Sequence, residues 1–418
     1  MINDIFVQMK RHLLFAAIAL YPLINVFAAP ENETGGLFSI SVSGFIKSDY
    51  WVDSRSVIAS RDDLFLLYPA ARSEDAAGRD INATPVFNFS AITSRIATNI
   101  SGPDAFGARV RGMIEADFSG VSNADINGLR LRHAFVELEW EKWGLLLGQW
   151  WHPMFAPKVA PSVISLNTGA PFQPFIRNPQ ITLSYFPGTS SRFILSFIGQ
   201  LDNVSDGPAG NTSDYMRHAV MPNMHLQWTG EFGNLIAGLA GDYKVLRPRR
   251  ISEQNVYTAE SFGSYAFMAY GRYNLKMLDL SARAIYGQNL SEHLMLGGYA
   301  ESAYDPLTGR YSYTPLDHLS FWANLTYGRS VRGGLFLGYA HNLGAGEDIN
   351  DVFYGRGEDI ALLYRVSPSL QFSSGNVSFC AELEHTAAAY GTPGPRGRVE
   401  DTYKVSNTRL LFTVLYYF

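Results

Sequence analysis

The residues able to do chemistry in this chain are charged side chains spaced two apart. Arg109, Arg111, Glu115 and Asp117 share one phase of a run whose other phase is Ala108, Val110, Gly112, Ile114, Ala116 and Phe118. Arg365 opposes Leu362, Tyr364 and Val366 in the same way, and Glu382 and Glu384 oppose Val377, Phe379, Ala381 and Leu383. A period of two is the signature of a strand with unlike faces. Fixed charges on one face of a wall can sort ions. Bond cleavage would need a nucleophile, a base and an orienting group brought together. His133, His152, His218, His225, His293, His318, His341 and His385 are scattered, with no G-x-S-x-G and no H-E-x-x-H motif. The sequence therefore predicts no enzyme: no catalytic residue, no cofactor and no metal site. The single cysteine, Cys380, can form neither an intrachain disulfide nor a zinc site and reads as a small strand residue.

What must position such charges follows from composition. Charged residues make up 17% of the 418, below the usual quarter, while aromatics reach 14%. A mean hydropathy of -0.04 excludes a helical membrane protein. The net charge of -5, without a basic block, gives no nucleic-acid signature. Met9 to His12 is basic, Leu13 to Phe27 is apolar but for Pro22 and Asn25, and Val26-Phe27-Ala28 has the form of a cleavage site. Residues 1–28 therefore read as a signal peptide, with Met9 an alternative start. No later apolar run is long enough for a membrane helix.

From residue 29 to 418 one domain is expected, with strands at 37–53, 86–100, 107–118, 129–140, 144–151, 179–187, 191–201, 219–230, 234–246, 261–275, 278–289, 316–328, 333–343, 358–370, 376–389 and 403–418. Connections alternate between short and long. Many strands are longer than the 5–6 residues usual in a soluble sandwich. Aromatics gather at strand ends, at Trp140, Trp143, Trp228, Tyr327, Tyr339 and Tyr416 to Phe418. In lipid an open edge leaves backbone groups unpaired, so the sheet must close. The expected fold is all-β: a closed antiparallel transmembrane β-barrel of about 16 strands, with short periplasmic turns and long extracellular loops.

A barrel of this size leaves an aqueous channel. Its pore-lining candidates are Lys47, Arg95, Arg109, Arg111, Glu115, Asp117, Glu137, Asp242, Arg272, Arg283, Arg365, Glu382 and Arg409. The loop 152–178, with five prolines from Pro153 to Pro174 and Pro179 just after it, carries Lys158 and Arg177 and no acid. It is expected to fold into the pore as a constriction whose cations favour anionic solutes, carboxylates among them. Arg95 shares a phase with Phe87 and Phe89, which requires a bulge or a switch near Ala91. Arg130 and Arg132 share a phase with Ala134 and Val136, which would face them outward unless they lie above the membrane, and Gln149 could face either way. The last strand sets Leu410, Phe412, Val414, Tyr416 and Phe418 toward lipid. Its opposite face is apolar enough at Leu411 and Leu415 to imply a covering loop.

"GLLLGQWWHPMFAP" (Gly144 to Pro157) and the C-terminal strand resemble sixteen-stranded Gram-negative general porins. "GFIKSDYWVDSR" and "NTGAPFQPFIRNPQ" resemble the DcaP-type branch and Bacteroidetes-type relatives. The resemblance implies passive diffusion of small hydrophilic solutes across the outer membrane and a homotrimer embedded in outer-membrane lipid. It places Gly148-Gln149 before the constriction loop and makes Phe418 the signal read by the barrel-assembly machinery. The alternative is a plugged or receptor-type barrel whose long loops, such as 290–315, bind a partner. A barrel hydrolase is a third, weaker reading.

Overall fold

The computed structural model describes residues 38–350 and 352–418, so the expected leader lies outside the described residues. Strand β1 (Ser39–Asp53) is followed by a hairpin, β2 (Val57–Ser60) and β3 (Phe65–Pro69), within the first long loop. Strands β4 (Val86–Ser90) and β5 (Arg95–Ser101) both pair with β1 and are two halves of one barrel strand. The break at 91–94 is the phase switch expected near Ala91.

The ring continues through β6 (Arg109–Asp117), β7 (Arg130–Glu139), β8 (Trp143–Trp151), β9 (Arg177–Gly188) and β10 (Ser191–Ile198). Next come β11 (Asn223–Phe232), β12 (Leu235–Leu246), β13 (Phe262–Asn274) and β14 (Leu278–Gln288). Strand β15 (Gly297–Asp305) lies outside the ring and pairs with the loop-side end of β16 (Arg310–Gly328). Strand β17 (Val331–Ala345) follows, then β18 (Phe353–Arg356), which pairs with β15. The last three are β19 (Ile360–Ser374), β20 (Val377–Pro393) and β21 (Val399–Tyr417).

With β4 and β5 counted as one, the described residues form a closed ring of sixteen antiparallel strands. Strand β21 closes on β1 from Phe45↔Tyr417 to Asp53↔Arg409. The seam ends where the Phe418 N–H donates to the Gly44 carbonyl at 3.1 Å and the Gly44 N–H donates to the Phe418 carbonyl at 3.0 Å.

The outer face is apolar and uncovered by protein. Leu410, Phe412, Tyr416 and Phe418 are exposed, as are Phe87, Phe267 and Leu239. For a soluble sheet this would be an aggregation surface; for a barrel it is the band that meets lipid. Trp143, Tyr327 and Phe372 mark its short-turn edge.

Two orientations differ from the sequence expectation or settle it. Arg130 and Arg132 do not face outward: they are buried in the barrel interior. The β6–β7 register slips, pairing Glu115 with His133 but Ala116 with Leu131, so Arg132 is an extra residue. Such a bulge moves the side chains before it to the other face. Gln149 also points inward and seals the bulge, its Nε2 donating to the carbonyls of Leu131 (3.2 Å) and Arg132 (3.0 Å).

Candidate functional site

The prolines of the third loop prevent it from joining the ladder, so its backbone polar groups need other partners inside the barrel. The far wall supplies them. Arg283 on β14 donates to the carbonyls of Met154 (2.8 Å) and Phe155 (2.9 Å) and to Gln173 Oε1 (2.7 Å). Trp322 Nε1 on β16 donates to the same Gln173 oxygen. Arg365 on β19 donates to the Ala170 carbonyl at 2.7 Å. Glu382 on β20 accepts from the Ile164 and Ser165 N–H groups, and Glu384 from Asn167. Lys47 on β1 donates to the Ile164 carbonyl. Space is made as well as bonds: a Cβ at Gly338 on β17 would stand 2.5 Å from the Phe172 ring.

A second loop folds inward, and the sequence reading had anticipated only a cover over the last strand. Leu64, Phe65 and Leu67, from the β2–β3 hairpin, are buried in one cluster with Trp51, Phe175 and Leu411, and Leu66 is buried as well. Arg365 holds this hairpin at the Leu67 carbonyl, and Arg409 holds it at the Leu64 and Asp63 carbonyls while paired with Asp53.

The two loops leave a cavity of about 390 Å³ on the short-turn side. Its charged lining residues are Lys47, Arg95, Arg132 and Arg332. A second cavity, about 20 Å³, carries Arg61, Arg130 and Arg177. Leu166 and Phe175 belong to both walls and form the partition between them, with Phe65 beside them in the second. No carboxylate lines either cavity among the described residues. The acids stand behind the cations: Glu115 and Asp117 pair with Arg132, Asp117 also with Arg130, and Asp202 with Arg177 and Arg130. Burial would push the Asp202 carboxyl up, but Arg177, Arg130 and Arg61 outweigh it and hold it below its ordinary value. Arg177 also lies over the Trp151 ring at 4.9 Å, which keeps its guanidinium plane at the passage.

The predicted residues thus separate into groups. Lys47 and Arg95 border the larger cavity. Arg109 and Arg111 pair with Glu139 and Glu137 and are exposed at the short-turn mouth. Glu115 and Asp117 back the arginines. Arg283, Arg365, Glu382 and Arg409 face inward but are at most 1% exposed, so the expectation that they meet channel water is corrected: loops cover them. Arg272 pairs with Asp279 and touches the Lys158 carbonyl, and Asp242 lies in a buried histidine cluster. The loop cations are not unopposed: Lys158 meets Glu231, and Arg177 meets Asp202. Sequence reasoning missed Arg61, Arg130, Arg132 and Arg332. Arg61 sits in an aperiodic loop, Arg132 in a bulge, and Arg332 one residue outside the expected strand.

The segment that builds the third loop, together with its flanking strands, also carries a family similarity. Residues 76–219 match the family described as DcaP outer membrane protein. The match covers 144 of the 418 residues. It spans β4 to β10 and includes Leu166 and Phe175 of the partition, but not Lys47, Arg61, Phe65 or Arg332. Among curated proteins none matches the sequence. In fold, the chain is similar to the outer membrane channel DcaP of Acinetobacter baumannii. The two are 15% identical, with a TM-score of 0.67 over 94% of this chain and 100% of that one. An anion-selective porin from Comamonas acidovorans gives 11% identity and a TM-score of 0.55, over 91% and 100%. Salmonella typhi OmpF gives 8% and 0.52, over 91% and 97%. These likenesses are of fold: a closed sixteen-stranded, porin-like barrel.

Proposed function

We propose that this outer-membrane barrel is a porin for small hydrophilic solutes and that it favours anions, carboxylates among them. The observation that carries this reading is the charge order around the two cavities. Seven cations face the space, and the carboxylates Asp49, Glu115, Asp117 and Asp202 stand behind them. An anion entering meets guanidinium groups suited to paired hydrogen bonds with a carboxylate. A cation meets the same charges as repulsion. Its fold relative from Comamonas acidovorans is described as anion-selective, which agrees with the reading. The reversal potential of the reconstituted protein in a salt gradient tests it: anion preference is expected, and clear cation preference overturns it.

A second reading, a barrel shut by its own loops, draws on the apolar partition of Leu166, Phe175 and Phe65. Stepwise current in planar bilayers supports the porin, and silence at all voltages supports the shut barrel.

The assembly is a homotrimer in this reading. Strand β12 offers a flat wall, Leu235, Ala237, Leu239 and Gly241, with both leucines exposed. The Vibrio cholerae OmpT fold relative is described in a trimer form. Mass measurement in detergent by light scattering checks it. Residues 1–28 are removed on export, which the mass of the mature N-terminus tests, and Phe418 is the mark for the assembly machinery.

A further inference from the structure

Four elements bring imidazoles together at the root of the third loop. His152 follows β8, His225 and Asp242 lie on β11 and β12, and His293 lies in the loop 289–309. Ligand atoms of His152, His225 and Asp242 all lie within 4.8 Å of one another. Asp242 Oδ2 is 3.0 Å from His225 Nδ1 and 3.7 Å from His152 Nε2. The His293 ring centroid is 4.7 Å from that of His152. His293 Nδ1 and Glu292 Oε2 are buried with no hydrogen-bond partner among the described residues, although both residues are over nine-tenths buried. None of these groups lines either cavity, so solute passage does not account for them.

We propose that His152, His225 and Asp242 bind one divalent transition-metal ion of the zinc class, with His293 as the fourth ligand. Two or three imidazoles and one carboxylate make a donor set that suits such ions. The surrounding hydrogen bonds leave the facing lone pairs available on His225 and Asp242, while His152 must change tautomer. His225 Nε2 faces Gln227 Oε1 at 3.1 Å and donates there, which frees Nδ1 for the ion. Asn223 Nδ2 donates to Asp242 Oδ1 at 2.7 Å, leaving Oδ2. Without metal, His152 Nε2 donates to Asn223 Oδ1 at 2.7 Å. The ion takes that position and the proton moves to Nδ1. The long 3.3 Å contact from the Met154 N–H to Nδ1 then gives way. Any further proton held between His225 and Asp242 is released to solvent. Lys244 adds no net repulsion because Glu292 pairs with it. The bound ion ties the start of the constriction loop to the wall and to an outer loop. The sequence concealed the site because its ligands share no short spacing.

The test uses the full barrel, folded in detergent and stripped of metal, with Zn2+ titrated against a chromophoric indicator. One Zn2+ per chain is expected, weakened by about tenfold or more in His225→Ala and in Asp242→Asn. His341→Ala, in contact with Tyr339 and outside the cluster, should bind as the unmodified chain does. Folding is followed by the heat-dependent shift in gel mobility. If a variant does not fold, Co2+ added to the unmodified chain decides. A visible absorption band of low-coordinate Co2+, displaced by Zn2+, supports the site, and only the weak spectrum of hydrated Co2+ overturns it. Equal Zn2+ binding by the unmodified chain and folded variants, or none at all, also overturns it.

Discussion

Arg283 Nη1 lies 2.8 Å from the carbonyl oxygen of Met154, across the barrel and 129 residues away in the chain. A wall arginine in a lumen phase is here a bracket for loop backbone. Arg365 and Arg409 do the same for the Ala170 and Leu64 carbonyls. The physical reason is that an inward-folded loop brings unpaired carbonyls into a confined space, and a guanidinium offers five donors in a fixed fork.

Replacing Arg283 by Ala should leave the ring intact and loosen the loop. The Met154 carbonyl would lose its side-chain donor, at about 1–3 kcal/mol for a group left unsatisfied, and the Phe155 carbonyl would keep only Gln173 Nε2. Single-channel recordings should show a larger mean conductance with frequent substates. An unchanged, quiet conductance would contradict the bracket.

Arg332 lines the larger cavity and contacts Thr326 and Ser162, with no ion pair to a carboxylate among the described residues. Arg332→Gln should therefore reduce anion preference without stranding an acid. Arg109→Gln, at the exposed mouth beside Glu139, should change it less. Reversal potentials of the two variants decide the order.

Phe175 packs on Phe65, Trp151 and Phe155 and stands between the two cavities. Phe175→Ala should join them and raise conductance. Its stability cost is at most about 3–5 kcal/mol, the range for a well-buried Phe. Equal conductance would place the narrowest point elsewhere.

Asp202 gives a pH signature. Its carboxyl is held below the ordinary 3.8 in the folded chain, after the cations overcome the effect of burial. Because the folded value is depressed, the stabilisation is complete above about pH 4 and fades as pH falls toward the lowered value. Protonation also removes a negative charge beside Arg177. Anion preference should rise on acidification below about pH 4, and Asp202→Asn should carry part of that rise at neutral pH. A preference that falls on acidification would count against the charge order.

The seam is sensitive at Gly44. A Cβ there would stand 2.1 Å from the Arg95 carbonyl oxygen and 2.9 Å from the Phe418 ring. Gly44→Val should cost about 1–3 kcal/mol or more and lower the yield of folded barrel on gels. Deleting Phe418 removes the paired bonds to Gly44 and should lower that yield too, while channels that do insert keep their conductance.

The ring was legible because one physical signal repeats along it. Lipid demands apolar side chains on every second residue, as at Leu410, Phe412 and Tyr416, and short turns fix which strand follows which. Arg130 and Arg132 were not legible, since a bulge is set by how β6 and β7 pair and leaves the count of apolar residues unchanged. The hairpin at 57–69 was not either: Leu64 to Leu67 looks like any apolar run until Arg365 and Arg409 are found holding its carbonyls.

By itself, then, the sequence determined the closed barrel, the inward face for most charges and the third loop as its obstruction, because periodicity and proline act locally. Only the tertiary structure decided which inward charges touch water. Arg283 and Arg95 read alike as pore-lining cations, yet one is buried under the loop and the other lines a cavity. That difference arises from contacts between residues more than a hundred positions apart, which no local pattern encodes.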